Sequence, residues 1–315
     1  MLDVLAITLP IFAAIALGFA TTRLGLFDRA DMRVLGRFVI HLALPALLFR
    51  ALATRPLADI LHPTYVAAYL AGSLAVLGAG WFWARRALRL DAAASAFRAM
   101  GMCCANSGFI GYPILLLLFA PVAGVALALN LMVENIVVLP LLLLLAERSR
   151  GDGRAGGRAV LDAARRLCRN PMILAILAGM AASLLRLDLP AAFARTVDLF
   201  AAASAVLSLF VIGGSLSGLR MRGTGPAIAP IVAGKLLLHP LAVLAALWAA
   251  QALGLPPLDP ALRAAAVVMA STPMMGIYPT LAQAYRQEGV AAPAMLAATL
   301  TSFATLGAVL WMVGR

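Results

Sequence analysis

The chain has 315 residues, 63% of them hydrophobic and 12% charged, with a formal net charge of +12. A soluble globular domain carries about a quarter charged residues, so a water-soluble fold of this length is excluded: it could not hide so much apolar surface. The positive charge comes from 24 Arg and one Lys, and the arginines sit in short loops between apolar runs. That distribution marks membrane topology rather than a nucleic-acid footprint.

The apolar runs are about 20 residues long, the length of a helix crossing roughly 30 Å of hydrocarbon. Within lipid only helices and closed barrels satisfy the backbone. The runs are Leu/Ala-rich and do not alternate apolar with polar, which selects helices. In chain order the expected spans are 4–22, 34–53, 64–84, 95–119, 122–146, 170–186, 197–218, 227–250, 262–284 and 291–313. The first follows Met1-Leu2-Asp3 directly, without a basic leader, and is expected to remain as a helix. The longest polar stretch, 148–169, begins as Gly/Arg-rich coil (148–158) and ends in a basic helical turn (159–168). It separates a first five-helix repeat (1–147) from a second (170–315).

Of the 24 arginines, 18 fall in the loops after spans one, three, five, seven and nine or at their edges. The positive-inside rule then makes 148–169 a cytoplasmic loop and puts both termini outside. An odd number of spans per half gives the halves opposite topology, the arithmetic of an inverted repeat.

Two spans are interrupted. Span four carries Asn106-Ser107-Gly108-Phe109-Ile110-Gly111-Tyr112-Pro113, and span nine carries Ser271-Thr272-Pro273-Met274-Met275-Gly276-Ile277-Tyr278-Pro279. Setting Gly111 against Gly276 pairs Gly108 with Pro273. Gly weakens a helix and Pro removes a donor, and matched interruptions in two halves point to a transport site. Half-helix starts offer N–H groups to anions, and half-helix ends offer carbonyls to cations. Asn106, Ser107, Gly108, Thr272, Pro273 and Met274 are therefore the expected substrate contacts, with Asn106 foremost.

Glu134 lies mid-span, where a carboxylate costs about 2.5–3.5 kcal/mol on insertion scales. It reads as a proton or cation coupling site, or else as a paired structural carboxyl, and Asn130 lies one turn away. Lys235 and His239 lie four residues apart in span eight. Lys235 reads as a substrate or coupling group, as a partner of Glu134, or as a snorkelling side chain. His239 reads as a coupling residue beside Glu134, Asn130 and Lys235, or as the occupant of a kink before Pro240. Cys103 and Cys104 read as small packing residues, and His41 as a core residue. Trp81, Trp83, Trp248 and Trp311 read as interfacial anchors. The sequence holds no phosphate loop, metal-ligand spacing or nucleophile–base set, so neither an enzyme nor a cofactor is expected.

The chain resembles the auxin efflux carrier family, which includes plant auxin exporters and bacterial proteins described as malonate or organic-acid carriers. The resemblance rests on Leu9-Pro10-Ile11-Phe12 with Gly18, on Leu44-Pro45-Ala46-Leu47-Leu48-Phe49, on Asn170-Pro171, on Gly213-Gly214-Ser215-Leu216, and on both interrupted segments. It departs in span seven, where members often carry Pro and this chain reads Ser204-Ala205-Val206-Leu207. The resemblance implies an all-α integral membrane protein of ten helices in a 5+5 inverted repeat. Its broken helices four and nine would cross, as in bile-acid/sodium symporters. It implies a scaffold (spans 1, 2, 6, 7), a transport domain (3–5, 8–10), an elevator-like movement and a homodimer. The expected partners are a small carboxylate, H⁺ or Na⁺ as coupling ion, and the bilayer of a bacterial cytoplasmic membrane. A non-transporting receptor is the rival reading.

Overall fold

The computed structural model describes residues 2–147, 165, 167–217 and 225–313. The coil at 148–158, most of the turn at 159–168, and Arg220, Arg222 and Arg315 lie outside the described residues. Every described element is helical, apart from one isolated bridge between Ala105 and Met274.

The helices are α1 (Leu2–Arg23), α2 (Arg29–Ala53), α3 (Pro63–Arg86), α4 (Ala92–Cys103), α5 (Ser107–Leu118), α6 (Ala120–Glu147), α7 (Pro171–Leu184), α8 (Ala191–Leu216), α9 (Gly225–Ala252), α10 (Pro260–Ser271), α11 (Tyr278–Gln283) and α12 (Glu288–Val313). Among the described residues, six helical stretches are long and apolar enough to cross a membrane, and four shorter apolar helices accompany them.

Helix starts follow capping chemistry. The second span begins at Arg29, earlier than the expected 34, because Asp28 and Asp31 form a reciprocal capping box. Asn170 accepts from Met172 N–H and Asp259 from Ala261 N–H, each with Pro in the first turn. α8 begins at Ala191 behind Pro190 and runs unbroken through Ser204–Leu207.

Among the described residues four stretches widen into π turns: Val39–Ala43, Ser107–Gly111, Val133–Val138 and Gly234–Leu238. Each ends two residues before a proline: Pro45, Pro113, Pro140 and Pro240. Proline cannot donate to the carbonyl four residues back, and its ring crowds that carbonyl. A widened turn relieves both problems.

The chain divides into two compact units. The first takes Met1–His62, Gly108–Leu131 and Cys168–Gly218; the second takes Pro63–Ser107, Met132–Leu167 and Leu219–Arg315. In the first unit α1 lies on α8 at backbone contact. A Cβ on Gly18 would overlap the Phe210 carbonyl, and one on Gly213 the Ile15 carbonyl. Small residues permit such approaches where lipid supplies no hydrophobic driving force. The exposed pair Arg50–Asp198 links α2 to α8 at 3.1 Å.

In the second unit α3 lies on α9, where Gly72 leaves room for the Val243 backbone. It also lies on α4, where Gly80 faces Ala99. The Tyr278 hydroxyl donates to the Phe97 carbonyl at 2.9 Å and ties α11 to α4.

Candidate functional site

α4 stops at Cys103 and helix resumes at Ser107; α10 stops at Ser271 and helix resumes at Tyr278. Cys104 is extended (φ −92°, ψ 123°), and so is Thr272 (φ −68°, ψ 156°). Thr272 precedes Pro273, and a residue before proline is pushed out of the helical region. The two extended segments pair antiparallel. The Asn106 N–H donates to the Pro273 carbonyl at 2.8 Å, and the Met275 N–H donates to the Cys104 carbonyl at 3.3 Å. Asn106, Ser107, Thr272 and Met274 are all at most 4% exposed.

A charged side chain attends each break. The Ala105 N–H donates to Glu134 Oε1 at 2.9 Å, and the Tyr69 hydroxyl donates a longer bond at 3.5 Å. Glu134 Oε2 is buried without a hydrogen-bond partner among the described residues. At the other break Lys235 Nζ donates to the Ala270 carbonyl at 2.6 Å, and it lies 3.0 Å from His239 Nδ1. His239 Nε2 lies 3.0 Å from Ser73 Oγ. An ammonium can only donate, so His239 Nδ1 accepts; a neutral ring then carries its proton on Nε2 and donates to Ser73. Tyr69 meets the His239 ring edge-on at 5.7 Å and stacks on Tyr65 at 6.1 Å.

Glu134 and Lys235 are within electrostatic range of each other but form no direct ion pair. Lys235 does not snorkel, since it is 0% exposed. Each sits in the first two positions of a π turn, a distortion frequent at functional sites.

The second unit thus gathers Asn106, Ser107, Thr272, Pro273, Met274, Glu134, Lys235 and His239. Asn130 and Gly108 belong to the first unit, where Asn130 is fully buried and Gly108 lies close to the Leu44 side chain. His41 is exposed with its ring on the Arg37 carbonyl, and is not a core residue as expected. Cys103 and Cys104 are buried free thiols 3.9 Å apart. Sequence reasoning did not single out Tyr65, Tyr69 and Ser73. Their spacing of four residues along an apolar span makes a polar stripe on one helix face, and that stripe was the available signal.

This architecture defines a class: a multi-pass membrane protein organised around two interrupted helices with a buried carboxylate and a buried ammonium. The sequence matches the family described as "Membrane transport protein" over residues 3–312. A "Putative malonate transporter" of Rhizobium meliloti (strain 1021) is 29% identical, covering 99% of this chain and 97% of the relative. An "Uncharacterized transporter" of Methanothermobacter thermautotrophicus is 29% identical over 74% of each chain. The "Uncharacterized transporter YfdV" of Escherichia coli (strain K12) is 26% identical, covering 75% of this chain and 76% of the relative. The chain belongs to this membrane transport family, the auxin efflux carrier family that its motifs resemble, and is a transporter rather than an enzyme.

Proposed function

We propose that the protein is a secondary active transporter of a small organic carboxylate, malonate-like or auxin-like, coupled to protons. The observation that carries this reading is the hydrogen bond from Ala105 N–H to Glu134, one residue before Asn106 in the first break. It joins a titratable group to the backbone that would hold the substrate. Asn106, Ser107, Gly108, Thr272, Pro273 and Met274 contact the carboxylate, whose charge suits the N–H groups that open the resumed helices. A proton arriving at Glu134 takes the unpartnered Oε2. Protonation removes the buried charge and turns Oε2 from an acceptor into a donor, while Oε1 goes on accepting from Ala105 N–H more weakly. Binding at the adjoining backbone and protonation are thereby linked. Asn130, Lys235 and His239 complete the coupling set.

In this reading residues 1–147 and 170–315 are inverted five-helix repeats, with the basic loop at 148–169 cytoplasmic and both termini outside. The helices carrying the crossover move with the substrate in an elevator-type cycle. The support is the motif resemblance and the coincidence of both breaks with both buried charges in one compact unit.

The test is charge movement in proteoliposomes on a supported-membrane electrode, backed by tracer uptake. Malonate, malate, lactate and indole-acetate are compared at two pH values, with and without Na⁺. A saturable current that depends on pH and is lost in Glu134→Gln supports the reading. Ligand binding without current or tracer uptake overturns it in favour of a receptor.

A further inference from the structure

The Lys235 ammonium stands at the end of a broken helix. Beyond Ser271 the backbone is extended, so the last carbonyls of α10 lack the usual donors four residues on. These carbonyls are the negative end of the helix dipole. In hydrocarbon no water relieves them, and such ends are where membrane carriers hold free cations. Here the Ala270 carbonyl receives Lys235 Nζ at 2.6 Å. The second ligand is His239 Nδ1, whose lone pair is aimed at Lys235 by the bond between Nε2 and Ser73.

The residue type matters as well. In a chain of 24 arginines this site takes the only lysine. An ammonium is a compact point charge, whereas a guanidinium is a broad planar fork. The register that sets Gly111 against Gly276 also sets Ala105 against Ala270. Equivalent residues are thus held by opposite charges: the N–H of Ala105 by a carboxylate, the C=O of Ala270 by an ammonium.

We infer that Lys235 is a built-in counter-cation of the second helix break, in the place a free alkali cation would take, and that shortening it opens a site for small ammonium ions. The inference rests on the transporter reading only in expecting wild-type uptake to be independent of Na⁺.

Thermal unfolding of purified protein tests it without any substrate. Wild type and Lys235→Ala are melted at constant ionic strength in choline, sodium, potassium, ammonium or methylammonium chloride. Wild type is expected to be indifferent to the cation. Lys235→Ala is expected to melt several degrees lower and to recover, saturably, in ammonium and methylammonium but not in choline. Lys235→Met, which refills the space, is expected to show no recovery. A Lys235→Ala protein that no small cation stabilises would overturn the inference, as would a wild type stabilised by Na⁺. Full recovery of Lys235→Ala in choline by adding Glu134→Gln would also overturn it, because Lys235 would then merely balance that carboxylate. Should Lys235→Ala fail to fold, expression with and without methylammonium decides: folded protein only with methylammonium supports the site, and none in either overturns it. A protein that passes these tests but takes up none of malonate, malate, lactate and indole-acetate defeats the transport reading alone.

Discussion

The two compact units are built on different economies. The first is held by close backbone approach: glycines of α1 and α8 meet carbonyls of the facing helix, and its buried polar side chains are neutral. Its ion pair, Arg50–Asp198, is about half exposed. The second unit buries Glu134, Lys235 and His239 at 1% exposure or less, together with most of the buried Ser and Thr residues. A rigid frame requires shape alone, and shape is satisfied by small residues. A body that, as proposed, binds and releases charge requires ionisable groups, which lipid tolerates only when each has a partner. The first unit should therefore be sensitive to volume and indifferent to charge, and the second, whose Gly72 also meets the Val243 backbone, sensitive to both.

The largest expected effect is in the first unit. Gly213→Leu forces side-chain atoms into the Ile15 backbone, which has no way to yield. The cost is about 3 kcal/mol or more, read as loss of monodisperse protein on size exclusion after mild heating. Next is Glu134→Gln in the second unit. The amide oxygen can still accept from Ala105 N–H, so the protein folds, but the proposed proton site is gone. Uptake should fall on the order of 10- to 100-fold and lose its pH dependence, measured by tracer flux across a pH series. Asn106→Ala is smaller: about a tenfold rise in KM for the carboxylate, with the unfolding temperature little changed. Smallest is Arg50→Ala, which removes a charge where charge should not matter. Its effect on stability should stay within about 0.5 kcal/mol by thermal unfolding. A large effect of Arg50→Ala, or a tolerated Gly213→Leu, would dissolve the contrast.

Much of the helical layout was legible because lipid enforces run length: Leu/Ala stretches of about 20 residues leave few alternatives. Both interruptions were legible because Asn106-Ser107-Gly108 and Thr272-Pro273 are poor helix formers, though the first break falls at residues 104–106, just ahead of Ser107 and Gly108, which are helical. Helix starts were less so. The Asp28–Asp31 box and Asp259-Pro260 were readable capping signals, yet apolar windows place a boundary where hydropathy changes rather than where a cap sits. The partners of the charged groups were the least visible. No pattern in one chain says that Glu134 meets Ala105 N–H or that Lys235 reaches Ala270, because those contacts are long-range and backbone-mediated. Tyr69 and Ser73 are ordinary residues until the fold sets them beside His239.

The prolines that follow the π turns act as phase marks. A π turn holds one more residue than the α turn it replaces, so everything beyond it is rotated by about 100° relative to an unbroken helix. Pro140 and Pro240 thus set the azimuth between the two ends of their helices. Replacing either with Ala would permit the turn to tighten and would swing Glu134 or Lys235 away from its break without touching a charge. The aim of both charged groups is in this sense written several residues downstream of them, in side chains that make no polar contact at all.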